Sequence, residues 1–208
     1  VNPAQANAEL CNLISSTLSD CGLNKDQFTI NISNRKIIQG LIDELKISEE
    51  KQIKVIRAID KLDKAGFGLK GVEDLLKKER KDQSGAITKG ADLSDKQASQ
   101  ILNFLKIKDL KELRESLNNS LSQEGIKELE DVLEVLGYGS NLNQVKTNFT
   151  IVRGLSYYDS FIVETNLNFK VNYNKGKKIE LGSICSGGSY AKLISRFRGV
   201  DVPGTGIS

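Results

Sequence analysis

Two stretches of this chain carry side chains and backbone that could do chemistry together: Arg153-Gly154-Leu155-Ser156-Tyr157-Tyr158 and, further on, Ser186-Gly187-Gly188-Ser189-Tyr190. Arginine offers a planar fork that grips carboxylate or phosphate oxygens bidentately and stays charged at any working pH. Each tyrosine supplies a flat wall and one hydroxyl able to give or take a hydrogen bond. The glycine pair lets backbone approach a ligand closely, with amides available to oxygens. Together these groups suit a small, polar, partly anionic molecule. By residue type alone, adjacent tyrosines on a strand serve packing equally well.

What the chain lacks narrows the chemistry further. With no histidine among 208 residues, nucleophile systems that depend on imidazole and zinc motifs built on it are excluded. Cys11, Cys21 and Cys185 have neither the spacing of a zinc site nor an even count for disulfides, so reduced, partly buried thiols are expected. No apolar run approaches the ~20 residues of a membrane span, and no basic-then-apolar leader opens the chain, so a cytoplasmic protein without membrane contact is expected. The net charge is +3, and residues 146–208 hold nine basic against four acidic groups, a mild bias toward an anionic ligand beside the tyrosine pair. A start at Val1, the absence of methionine and an end at Gly206-Ile207-Ser208 inside an apparent strand suggest part of a longer protein.

The elements that must position these residues can be read from periodicity. Leu10, Leu13, Ile14, Thr17 and Leu18 repeat at helical spacing behind Pro3, and Gly22 should stop that helix. Phe28, Ile30 and Ile32 alternate as a strand; Asn34 then caps a helix with Ile37, Ile38, Leu41 and Leu45 on one face. From Ser48 to about Asn143 apolar residues recur at helical spacing only. Expected helices carry Ile53, Ile56, Ile59 and Leu62; then Val72, Leu75 and Leu76; then, capped by Ser94, Ala98, Ile101, Leu102 and Leu105. Two more follow, at Leu110–Leu117 and at Ile126–Leu136, with a polar loop at 81–93. Basic clusters at Lys77, Lys78, Arg80 and Lys81, and at Lys106, Lys108, Lys111 and Arg114, suit either a solvated face or a phosphate backbone.

Beyond Val145 the pattern turns to strand. Phe161, Val163, Leu167, Phe169, Val171 and Tyr173 fall on one face of what reads as a single long strand, with Glu164, Asn166, Asn168, Lys170 and Asn172 on the other. A turn at Asn174-Lys175-Gly176 leads to a return strand from Lys178 to Cys185 that ends at the glycine run; Tyr190–Phe197 reads as a helix, and Val202-Pro203 leads to another strand. The class is α+β: an antiparallel sheet with flanking helices, interrupted by an all-α insertion.

The first stretch resembles the Arg-Gly-Leu-Asp-Tyr-Tyr motif of histidyl-tRNA synthetases, and Gly182-Ser183-Ile184-Cys185-Ser186-Gly187-Gly188-Ser189-Tyr190 resembles their second, glycine-rich motif. The flanks Ala8-Glu9-Leu10-Cys11, Asn34-Arg35-Lys36-Ile37-Ile38-Gln39-Gly40 and Val202-Pro203-Gly204-Thr205-Gly206-Ile207-Ser208 are similar to the same family. The resemblance implies a class II synthetase catalytic domain in three parts: core at 1–47, helical insertion at 48–143 facing the tRNA acceptor end, and core with both motifs at 144–208. It implies an aminoacyl-tRNA ligase using ATP with Mg²⁺, histidine and tRNA(His), working as a homodimer when whole.

By the same resemblance, Arg153 would neutralise charge as the histidine carboxylate attacks the α-phosphate of ATP. Tyr158 would contact the imidazole, Tyr157 would support the wall, Gly187 and Gly188 would form the floor, and Tyr190 would border the amino acid. Ser156 stands where the family has aspartate, Ser189 where its second motif has arginine, and Ala191 and Lys192 where it has aspartate and a small residue. Those departures leave one alternative in view, a non-catalytic paralogue that keeps the histidine pocket as a sensor in a regulatory subunit of histidine biosynthesis.

Overall fold

Asn2 accepts a hydrogen bond from the Ala4 amide (2.9 Å) and Pro3 fills the first helical position, so helix α1 (Pro3–Asp20) begins where its orphan amides are met. The computed structural model describes residues 2–64, 66–81, 87–137, 142–152, 158–173, 176–200 and 202–208. The buried face of α1 is Ala4, Asn7, Ala8, Cys11, Ile14 and Ser15, whereas Leu13 is 51% exposed. The helical period was right but the face is turned from the one the leucines suggest. Small side chains let α1 lie close to the sheet, and close approach outweighs the size of any single leucine.

Strand β1 (Phe28–Asn34) buries Phe28, Ile30 and Ile32 almost completely, and Asn34 Oδ1 accepts from the Lys36 amide (3.0 Å) to start α2 (Arg35–Glu44). Next come α3 (Glu49–Ile59), α4 (Gly68–Lys77), α5 (Asp95–Phe104), α6 (Leu110–Ser116) and α7 (Ser120–Gly137). Ser94 and Gln97 close a reciprocal capping box at the start of α5. Ile53 is 54% exposed on α3 and Val55 is buried instead. Within the stretch expected as a polar loop, β2 (Glu79–Lys81) and β3 (Ile87–Lys89) pair antiparallel as a short hairpin; three residues per strand are too few to show alternation.

Strands β4 (Val145–Thr147), β5 (Phe161–Leu167), β8 (Ser183–Ser189) and β9 (Thr205–Ile207) join β1 in one sheet of order β4-β1-β5-β8-β9, antiparallel except for β1 with β4. The single long strand expected from Phe161 to Tyr173 is broken. Its ladder on β1 ends at Phe28↔Leu167, where β1 itself begins, and Asn168 is held to the preceding turn through Gln27 O and Asp26 O, each at 2.8 Å. The chain continues as a separate hairpin of β6 (Val171–Tyr173) and β7 (Lys177–Ile179), with Gly176 at φ +80°; Asn174 and Lys175 of the expected turn lie outside the described residues. The return strand likewise divides, and the glycine run lies inside β8 rather than after it.

One face of the sheet, with Ile30, Ile32, Val163 and Thr165, is covered by α1 and α7, and α2 packs on α7. Gly40 makes that last contact possible, because a Cβ there would meet the Asn119 and Ser122 side chains and stand 2.7 Å from the Ser122 amide. The opposite face buries Ile162 but is polar beyond it: Asn31 donates to Asn166 Oδ1 (2.9 Å), and Asn166 lies 3.4 Å from Glu164 Oε1. A single buried apolar cluster runs from Ala8 through Ile59, Leu76, Ile101 and Leu129 to Val163. No helix among the described residues is long and apolar enough to cross a membrane.

Candidate functional site

Gly188 sits in β8 between Ile162 of β5 and Gly206 of β9. A Cβ on Gly188 would meet the Phe161 carbonyl and stand 2.9 Å from Cδ1 of the Tyr158 ring; one on Gly206 would stand 2.9 Å from the Tyr190 hydroxyl. Two tyrosines therefore lie against two side-chain-free positions on adjacent strands, seated on bare backbone. Because side chains alternate along a strand, Gly187 faces the other way. A Cβ there would meet Ile207 Cγ2 at 2.5 Å, so Gly187 serves the close packing of β8 on β9.

Backbone bonds fix the borders. Asp159 N donates to Ser189 O (3.0 Å), setting Tyr158 beside β8, and Tyr190 N donates to Gly204 O (2.8 Å) as the chain leaves β8 for helix α8 (Ala191–Arg198). Glu164 and Ser186 are register partners on the same face as Gly188, which puts a carboxylate and a hydroxyl on the sheet surface next to the floor.

Arg153 and Tyr157, with Ser156, lie outside the described residues. The residues flanking them converge on the first turn of α2. Arg35 N donates to Ser160 O (2.7 Å), and the half-buried Arg35 guanidinium reaches Val152 O at 3.4 Å. Burial lowers the Arg35 pKa from the usual arginine value, yet a guanidinium remains charged at neutral pH, so positive charge stands beside Val152, the residue that precedes the first motif.

The structure also brings in residues that motif reading missed. Asn7 of α1, 6% exposed, accepts hydrogen bonds from Ser189 Oγ and Thr205 Oγ1, both at 3.0 Å. A polar residue on the inner face of an amphipathic helix was the one available signal. Ser189, which stands where the resembling motif has arginine, thus spends its hydroxyl on a neutral amide oxygen.

Several basic residues of the helical stretch have acidic partners. Lys77 bonds Asp95 and Glu73, both at 2.9 Å, and those hydrogen bonds, Asp95 first, hold its ammonium above the ordinary lysine range. Arg80 lies over the Phe67 ring at 4.3 Å from its centroid and 3.9 Å from Asp74, and Arg114 reaches Glu130 at 2.5 Å. A cleft between α2, α5 and α6 is lined by Glu44, Gln100, Asn103 and Glu112, and its two carboxylates do not suit a phosphate backbone.

Comparison with known proteins places the chain in a family. The family model described as histidyl-tRNA synthetase matches residues 1–208. The chain is 75% identical over its whole length to a histidine–tRNA ligase of Pelagibacter ubique, covering 45% of that protein, and 38% identical to one of Rhizobium leguminosarum, covering 42%. It therefore spans just under half the length of these relatives. A crystal structure of histidyl-tRNA synthetase from Nostoc sp. PCC 7120 superposes over the full chain with TM-score 0.77 at 29% identity, covering 45% of that molecule. An ATP phosphoribosyltransferase regulatory subunit/histidyl-tRNA synthetase from Bacillus halodurans shares the fold at TM-score 0.72 and 21% identity, covering 48% of that chain. With the whole of its length matched by the family model, the chain belongs to the histidyl-tRNA synthetase family.

Proposed function

We propose that the whole protein is a cytoplasmic histidine–tRNA ligase and that this segment supplies its histidine pocket. The observation that carries the reading is the pairing of Tyr158 with Gly188 and of Tyr190 with Gly206 on one sheet face, in a chain 75% identical to a histidine–tRNA ligase. Two tyrosines seated on bare backbone offer walls to a flat, polar imidazole, and Glu164 on the same face offers the ammonium group of histidine a carboxylate within the sheet surface.

In the reaction, a carboxylate oxygen of histidine attacks the α-phosphorus of ATP, the bond to the bridging oxygen breaks, and pyrophosphate leaves with its Mg²⁺. The terminal ribose hydroxyl of tRNA(His) then attacks the acyl carbon of the adenylate and AMP departs. Arg153 is assigned to the charge that builds on the α-phosphate, Tyr158 and Tyr157 to the ring wall, Gly188 to the floor and Tyr190 to its border; Gly187, expected at the floor as well, packs β8 on β9 from the other face. Mg²⁺ enters as part of the nucleotide substrate; among the described residues no group of three or more carboxylates or thiols stands ready to hold a metal.

The division into core at 1–47 and 144–208 and insertion at 48–143 belongs to the same proposal, with α3 to α6 turned toward the tRNA and α7 packed back on α1 and α2. Dimer formation is assigned to the whole protein. Ser156, Ser189, Ala191 and Lys192 favour a second reading, the histidine sensor, whereas helices α3 to α6 favour the ligase because a sensor has no use for a tRNA-facing insertion. Transfer of labelled histidine to tRNA(His) by the whole protein separates them: ester-linked histidine is expected, and histidine binding without transfer would establish the sensor.

A further inference from the structure

We propose that Asn7 is a positioning residue of the histidine pocket, acting from behind the sheet through Ser189 and Thr205; the role in histidine binding rests on the ligase reading above. Asn7 lies on the inner face of α1 with Ala4, Ala8 and Cys11, whose small side chains bring the helix close to β8 and β9. Asparagine is a poor residue for a helix interior and for a buried face unless its amide is used.

Here it is used, because one oxygen accepts from two hydroxyls on neighbouring strands. Ser189 and Thr205 are register partners, so the Asn7 oxygen pins β8 to β9 at the pair where β8 ends and β9 begins. The Thr205 hydroxyl also lies 3.2 Å from Gly188 O. With one proton to give, it satisfies either Asn7 or the carbonyl of the pocket floor at a time.

By alternation, Ser189 and Thr205 point away from the face on which Gly188, Gly206 and the two tyrosine rings meet. Tyr190 follows Ser189 directly and its amide is held by Gly204 O, next to Thr205. The Asn7 oxygen thereby sets where Tyr190 leaves the strand and how Gly188 lies under Tyr158. It touches no substrate, so its removal should loosen the amino-acid slot and leave nucleotide binding alone.

Asn7→Ala in the whole protein should raise KM for histidine on the order of tenfold, as expected when a buried pair of hydroxyls loses its acceptor, with KM for ATP unchanged. Asn7→Asp keeps an acceptor oxygen in place and should restore the wild-type histidine KM, and adding Ser189→Ala to Asn7→Ala should cost nothing more. Thr205→Val, which keeps the shape and removes one hydroxyl, should raise the histidine KM in the same direction and serves if Asn7→Ala does not fold. Amide hydrogen exchange at Ser189 and Tyr190 should quicken in Asn7→Ala and Thr205→Val but not in Asn7→Asp. That readout stands even if the whole protein never activates histidine, a result that would sink the ligase reading alone. Unchanged exchange, equal shifts in both KM values, or an Asp variant as poor as the Ala variant would overturn the role of Asn7.

Discussion

At Gly188 a single methyl group decides whether the Tyr158 ring can lie where it does. An added Cβ would stand 2.9 Å from Cδ1 of that ring and against the Phe161 carbonyl, and backbone cannot yield as a flexible side chain can. Overpacking of this kind costs about 1–3 kcal/mol, so Gly188→Ala should weaken histidine binding on the order of tenfold by calorimetry. The thiols should differ as sharply. Burial pushes the Cys11 pKa up to about 12, and Cys21 is exposed. Iodoacetamide at pH 8 should therefore modify Cys21 quickly and leave Cys11 intact until the protein unfolds, as peptide mass spectrometry would show; prompt labelling of Cys11 would contradict its burial. Tyr158, Gly188 and Tyr190 can be picked out as candidates along the chain because each belongs to a local motif with its own chemistry. Asn7 was not, because its partners are 182 and 198 positions away and only folding makes it a joint.

Among the elements, α2 and α7 pack closely through Gly40, which faces Asn119 and Ser122. Gly40→Ala should separate them and lower stability by about 1–3 kcal/mol, seen as a fall in the urea midpoint. Asn34 both caps α2 and donates to Glu128 of α7 at 2.6 Å, while Lys36 bridges Glu124 and Glu128. Asn34→Ala should cost about 1 kcal/mol for the lost cap, with more from the Glu128 oxygen that loses its Asn34 donor while the other stays on Lys36. An unchanged midpoint would show that water replaces both bonds. Helices α2 and α5 were readable because their caps and apolar periods are local. The break in the long strand was not, since it depends on where β1 begins, and neither was the face of α1. Alanine and cysteine on that helix matter for closeness to the sheet rather than for apolar bulk, which hydrophobic pattern alone weighs wrongly.

At the scale of the molecule, the proposed histidine floor is assembled from strands far apart in sequence: β5, β8 and β9 carry it, and α1 braces it from behind. The α+β class and the antiparallel sheet with flanking helices follow from patterns along the chain, and the structure bears them out beside the Nostoc enzyme. The β2–β3 hairpin escaped because it is too short to have a period. The central claim is that this segment provides the amino-acid pocket of a ligase. Its most direct measurement is ATP–pyrophosphate exchange by the whole protein, wild type beside Gly188→Ala. Exchange should require histidine and no other amino acid, and at limiting histidine it should fall on the order of tenfold in the variant; absence of histidine-dependent exchange, or a variant indistinguishable from wild type, would contradict the claim.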